Sequence, residues 1–169
     1  MKSISGHRAP ALSGDAAASL LDDIDRGIAL PTEWYTDPAI FAAELKAVHR
    51  RAWHFAAHAG ELAEPGDVLP RMLAGVPILL VRHPDGGVRG FVNICRHRGH
   101  PVVMEAGNQS NLQCLYHAWT YEFDGALRSA PRSRGDDRFD KADFGLTPIQ
   151  VHEWGPMIWA NIDLEAPAF

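Results

Sequence analysis

The fold and chemistry of this chain are decided by two stretches, Asn93-Ile94-Cys95-Arg96-His97-Arg98-Gly99 and Cys114-Leu115-Tyr116-His117-Ala118-Trp119-Thr120-Tyr121. Each pairs one cysteine with one histidine, one residue apart in the first and two apart in the second. Between His97 and Cys114 lie 16 residues. The chain has only 2 cysteines in 169 residues. A disulfide framework in a small secreted domain usually needs four or more, and Met1 to Asp15 contains no apolar stretch of export-signal length. Cys95 and Cys114 therefore read as thiols held for a metal or simply buried. Two thiols cannot fill a four-ligand site, so histidine must complete any such site.

A set of two cysteines and two histidines permits two solutions. Zinc takes such ligands tetrahedrally, and a 2Fe-2S cluster takes them with both cysteines on one iron and both histidines on the other. Ligand type alone does not separate them, but order does. Zinc fingers commonly supply the cysteines as one pair and the histidines as another. Here each segment supplies one of each, which suits a dinuclear centre. Each motif follows a predicted strand, so neighbouring hairpin tips would bring Cys95, His97, Cys114 and His117 together.

Working outward, the rest of the sequence is that of an ordinary globular protein, with 46% apolar and 22% charged residues. Its net charge of −5 and the lack of a Lys/Arg stripe argue against nucleic-acid binding. No apolar run approaches the roughly 18 residues of a membrane span, and a cytoplasmic location is expected. Residues 1–52 read as a tail followed by a helical segment. Met1 to Gly14, rich in Ser, Gly and Pro, is expected to be loosely attached. A short helix is expected over Ala16–Asp25 with Asp15 as N-cap. A second is expected from Pro38 to Ala52, capped by Asp37, with Phe41, Leu45, Val48 and Ala52 as its apolar face.

Residues 53–169 read as a mainly all-β domain, with turn residues every ten positions or so. Expected strands are Trp53–Ala59, Val68–Leu73, Val76–Arg82, Val88–Asn93, Leu112–Gln113, Thr120–Phe123, Ala126–Arg128, Ile149–His152 and Met157–Ile162. Pro84-Asp85-Gly86-Gly87 and Asp124-Gly125 mark tight turns. Arg132 to Lys141, highly charged and without apolar alternation, reads as a solvated loop. His54 and His58 are four apart, but on a strand that spacing separates them; His49, His83 and His152 have no metal spacing either.

The two cysteine–histidine stretches, with Asp124-Gly125 after them, closely resemble the cluster loops of Rieske non-haem iron aromatic ring-hydroxylating oxygenases, in the N-terminal domain of their alpha (large) subunit. Leu30-Pro31, Tyr35-Thr36-Asp37-Pro38, Trp53, Glu64-Pro65-Gly66-Asp67, Trp154-Gly155 and Ile158-Trp159-Ala160-Asn161 extend the likeness over most of the chain. The resemblance implies an antiparallel Rieske fold with a small cluster-binding lobe at about residues 92–131, the N-terminal helical segment packing on its outside. It implies one 2Fe-2S cluster, Cys95 and Cys114 on the inner iron, His97 and His117 on the outer. Gly99 would let the backbone turn near the cluster, and Tyr121 would hydrogen-bond near a cysteine sulfur. Trp119 stands where high-potential Rieske proteins carry a serine donor, which implies a low potential within the Rieske range. Ala118 stands where the family usually has glycine. His100 stands where a small or hydrophobic residue is common, and reads as a surface histidine.

The resemblance also implies partners: an NAD(P)H-dependent flavin reductase or a ferredoxin as electron donor, an oxygenase catalytic domain as acceptor, and a homotrimer in a full-length form. Arg96 and Arg98 are candidates for steering an acidic redox partner. In the family a mononuclear iron site of two histidines and a carboxylate follows. After His117 this sequence has only His152, so no mononuclear iron is expected in it. The expected function is the electron-transfer domain of a dioxygenase of aromatic hydrocarbon catabolism. The alternatives are a free-standing Rieske carrier and a zinc-stabilised Cys2His2 interaction module.

Overall fold

A computed structural model describes residues 14–131, 133 and 138–169. The chain divides into two compact units, 1–49 and 50–169. The first is helical: α1 (Gly14–Asp25), α2 (Glu33–Thr36) and α3 (Pro38–Ala47). α1 begins before Asp15, which is therefore not its cap. Asp37 does cap α3, its Oδ1 accepting from the Ala39 amide at 2.7 Å. α3 stops five residues short of expectation. Val48, β-branched, leaves regular helical geometry at φ −119°, and His49–Arg51 tighten into a 3-10 turn. The expected apolar face is also displaced. Phe41 and Val48 are 56% and 55% exposed, whereas Ile40 is buried.

The second unit is built from antiparallel strands in three sheets. β1 (His54–His58), β9 (Gln150–Trp154) and β10 (Met157–Asn161) form one in the order β1-β10-β9. A second, in the order β4-β3-β2-β5, contains β2 (Asp67–Leu73), β3 (Val76–Arg82), β4 (Val88–Val92) and β5 (Gly107–Asn108). A third joins β6 (Leu112–Gln113), β7 (Thr120–Tyr121) and β8 (Leu127–Ser129) in sequence order. The expected antiparallel all-β architecture is present, with boundaries within one or two residues. β5 carried no signal. It is two exposed residues that pair with Asp67 and Val68, with the Asn108 side-chain amide donating to the Pro65 carbonyl and Asp67 Oδ1.

The pattern of β3 explains where the cores lie. Its run Ile78-Leu79-Leu80-Val81 is buried without alternation, as expected of a strand covered on both faces. Leu79 and Val81 join Val68, Phe91 and Leu112 in a core that also holds Cys95, Cys114, Trp119 and Tyr121. Ile78 and Leu80 face the opposite core, with Leu62, Leu69, Ile158 and Ala160. The middle sheet thus carries the lobe on one side and the β1-β10-β9 sheet on the other.

The β1 strand keeps His54 and His58 at its two ends, and His58 caps the following 3-10 turn by accepting from the Gly60 amide at 3.0 Å. The charged loop Arg132 to Lys141 lies partly outside the described residues, as does the tail before Gly14. At the loop's end, Lys141–Phe144 forms a 3-10 turn capped by Asp140. Among the described residues no helix is long and apolar enough to cross a membrane.

Candidate metal centre

The two cysteine–histidine segments are built alike. In the first, the Cys95 amide donates to the His100 carbonyl at 2.8 Å and the Gly99 amide donates back to the Cys95 carbonyl at 3.0 Å. In the second, the Cys114 amide donates to the Trp119 carbonyl at 2.9 Å and the Ala118 amide to the Cys114 carbonyl at 2.9 Å. The residue four after each cysteine is left-handed, Gly99 at φ 75° and Ala118 at φ 57°. Each segment therefore closes on its own cysteine and presents its histidine outward. Only the second is a hairpin tip, between β6 and β7; the first bridges β4 to β5, which do not pair. Nothing lies within 4 Å of a Cβ built on Gly99. The left-handed backbone at this position favours glycine.

Ala118 accepts that same sign with a Cβ, at a cost of about 1 kcal/mol. Ala118→Gly is expected to raise stability by about 0.5 kcal/mol, less than the relieved strain because glycine also frees the unfolded chain. A thermal melt giving a lower midpoint for the variant would show that the tip is not strained.

Asn93 ties the first segment to the lobe, a role the sequence did not single out. It is buried, its Nδ2 donates to the Val103 carbonyl at 2.7 Å, and its Oδ1 accepts from the Val102 and Val103 amides at 3.0 and 3.1 Å. One side chain thus pins the segment's exit to its entrance.

The four candidate donors form two pairs. Cys95 and Cys114 are free thiols, 3% and 1% exposed. Burial raises the Cys114 thiol, and the adjoining Cys95 adds to that; the Tyr116 and His117 amides act in the opposite direction. His97 and His117 lie further out, ring centroids 4.5 Å apart at 77°. The Nδ1 of His97 is buried with no hydrogen-bond partner. An orphaned imidazole nitrogen in a buried site is costly unless something takes its lone pair or its proton. Among the described residues no three His, Cys, Asp or Glu side chains gather about one point to hold a single metal ion. Two thiols and two imidazoles, the thiols buried and the imidazoles further out, are a donor set that a two-iron group would take.

Tyr121 takes the place expected of it. Its Oη lies 3.3 Å from Cys95 Sγ and accepts from the Arg96 amide at 3.0 Å. Because the amide occupies an oxygen lone pair, the phenolic hydrogen is left for the sulfur. Burial, with Cys95 beside it, raises the phenol above its ordinary pKa, so it remains a donor. His100 is partly buried, with Nδ1 2.7 Å from the Pro101 carbonyl and 4.0 Å from Cys114 Sγ. Its backbone carbonyl, not its ring, closes the first segment.

A cavity of about 610 Å³ opens onto the histidine end, lined among others by His97, Arg98, Tyr116, His117 and Trp119. Around it Leu115 is 78% exposed and Arg96 and Arg98 are exposed.

The chain belongs to a family of iron–sulfur domains, the Rieske [2Fe-2S] domain family, whose model matches residues 52–148. A 2Fe-2S cluster is the cofactor of that family. Within it, the chain is similar to the oxygenase (alpha) subunits of Rieske oxygenases. It is 35% identical over 137 residues to the carnitine monooxygenase oxygenase subunit of Acinetobacter baumannii, covering 80% of this chain and 37% of that protein. It is 36% identical over 154 residues to the glycine betaine monooxygenase oxygenase subunit of Pseudomonas aeruginosa, covering 90% of this chain and 36% of that protein. Among solved structures, naphthalene 1,2-dioxygenase from Rhodococcus sp. superposes with a TM-score of 0.83 at 29% identity, over 92% of this chain and 37% of that one. A quaternary ammonium Rieske monooxygenase gives 0.78 at 33% identity, over 83% and 41%. The chain spans little more than a third of the length of these relatives.

Proposed function

We propose that this chain is the electron-transfer domain of a Rieske oxygenase and that Cys95, His97, Cys114 and His117 hold its cluster. The observation that carries the reading is the orphaned Nδ1 of His97, set beside His117 in a chain whose two thiols are buried. When bound, the cluster supplies a one-electron couple, and exchanging two thiolates for neutral imidazoles raises its potential over that of an all-cysteine cluster. The protein's own residues do the rest. The cysteines sit in the apolar core, away from water. The histidines face the open cavity, the side from which electrons would enter or leave. Exposed Arg96, Arg98 and Leu115 surround that end and suit an acidic partner surface with an apolar centre.

The donor is an NAD(P)H-dependent flavin reductase or a ferredoxin, and the acceptor is an oxygenase catalytic domain, with a homotrimer as the assembled form. The substrate lies with that domain. The sequence relatives carry the names carnitine, choline and glycine betaine monooxygenase, so they lend no support to aromatic hydrocarbon catabolism. They favour oxidation of a quaternary ammonium compound. The aromatic reading keeps one observation, the likeness to naphthalene 1,2-dioxygenase.

Anaerobically purified protein should contain about two iron and two acid-labile sulfide per chain and give a rhombic EPR signal on reduction. A colourless protein with one zinc would overturn the proposal in favour of an interaction module. Reduction by a ferredoxin without onward transfer to any oxygenase domain would favour a free-standing carrier.

Tyr121→Phe removes the hydroxyl that faces Cys95 Sγ. A donor to sulfur stabilises the more negative, reduced state, so the variant's midpoint should fall by about 40 mV, the equivalent of about 1 kcal/mol for one electron. An unchanged midpoint in protein-film voltammetry would mean that the hydroxyl serves the Arg96 amide alone.

A further inference from the structure

Beyond the four donors, the aromatic residues beside them form a continuous brace. The Trp119 ring lies flat on the His97 imidazole, centroids 4.9 Å apart and planes at 9°. Trp119 is itself buried. Its own plane is held by two edge contacts, from Phe139 at 5.7 Å and 76° and from Phe144 at 5.6 Å and 84°. Those two phenylalanines stack on each other at 4.7 Å and 22°.

The segment that carries them is anchored independently of the two cysteine–histidine segments. Asp140 caps its 3-10 turn through the Ala142 amide at 2.9 Å, and Lys141 Nζ donates to the Arg128 carbonyl at 2.9 Å. The Leu146 amide donates to the Gly125 carbonyl at 2.8 Å. His117, by contrast, is tilted against Tyr116, itself an exposed side chain, with centroids 3.8 Å apart. His97 is thus backed by one buried ring and two partly buried ones, while His117 meets Tyr116 at the rim.

We infer that Trp119, braced by Phe139 and Phe144, is a positioning residue that sets the ring plane of His97 at the cluster and keeps water off that face. This rests on the reading of His97 as a ligand. The physical basis is that imidazole orientation about a metal bond is soft unless a neighbour fixes it, and outer contacts of that kind tune both affinity and potential. A flat stack opposes tilting of the ring, and the two edge contacts oppose sliding of the indole.

The test uses the holoprotein and four variants: Trp119→Leu, Trp119→Phe, Phe139→Leu and Phe144→Leu. Iron and acid-labile sulfide content, with the presence of the reduced EPR signal in the parent, checks the underlying reading first. If the parent carries a cluster, the inference stands on how the signal changes. Trp119→Leu should shift and broaden the rhombic g-values and change the equilibrium constant for reduction by about threefold, or about 30 mV at 59 mV per decade. Trp119→Phe, which keeps a flat ring on His97, should recover most of the parent signal.

Phe139→Leu and Phe144→Leu, which alter rings packed on Trp119, should broaden the signal in the same direction while leaving iron content unchanged. If Trp119→Leu fails to assemble a cluster, the two phenylalanine variants and Trp119→Phe decide the matter. Parent-like g-values, linewidths and midpoints in the Phe139 and Phe144 variants would overturn the brace. So would a Trp119→Phe protein no closer to the parent than Trp119→Leu.

Discussion

Cys114→Ser is expected to yield a folded but colourless protein, with iron and acid-labile sulfide near zero and no EPR signal on reduction. Serine is nearly isosteric with cysteine, so the all-β framework should survive. The lost packing and the polar hydroxyl at a position only 1% exposed cost about 1–2 kcal/mol. The chemistry does not survive, because an alkoxide is a far poorer partner for iron than a thiolate and a serine hydroxyl does not ionise near neutral pH. Circular dichroism close to the parent, together with iron loss, separates ligand loss from unfolding. A Cys114→Ser protein that retains its full iron content would remove Cys114 from the proposed donor set.

A large effect on stability is expected at Gly125, in the β7–β8 turn. This glycine closes the β7–β8 turn at φ 87°, and its carbonyl receives the Leu146 amide at 2.8 Å. A Cβ built on it would lie 2.5 Å from Cε1 of Phe91, a ring buried in the lobe core. Gly125→Ala therefore combines left-handed strain with overpacking, together about 3 kcal/mol, which corresponds to roughly 10 °C in melting temperature. The two contributions can be separated. Phe91→Leu in the Gly125→Ala background relieves the overlap but not the backbone strain, so the double variant should lose less than the sum of the singles. Strict additivity would show that Phe91 had already moved aside.

Much of this was legible before any coordinates. The β segments stood out because Val, Ile and Leu runs alternate with Gly, Pro and Asp-Gly turns, and local chain chemistry suffices to mark a strand or a turn. The Asp37 cap was legible for the same reason, since a cap is a contact over two residues. The apolar face of α3 was not. Phe41 and Val48 fit helical periodicity but remain exposed, because periodicity reports which residues share a face and not whether anything covers it. β5 was invisible because its support is contacts with residues 65–68, some 40 residues earlier.

For the candidate site, the sequence by itself supplied the proposed donor set and its order, one cysteine and one histidine in each of two segments, and so pointed to a two-metal group. It also marked Tyr121 and Ala118. The donor order is a property of residue identity and spacing, whereas Tyr121 and Ala118 were marked by the family resemblance. Only the tertiary structure decided how the donors pair, that His97 Nδ1 is left without a partner, and that Asn93 closes the first segment. It alone showed that Phe139 and Phe144 reach Trp119. The reason is physical: pairing, burial and ring stacking are set by distances between segments about 10 to 25 residues apart, and no local pattern encodes those distances.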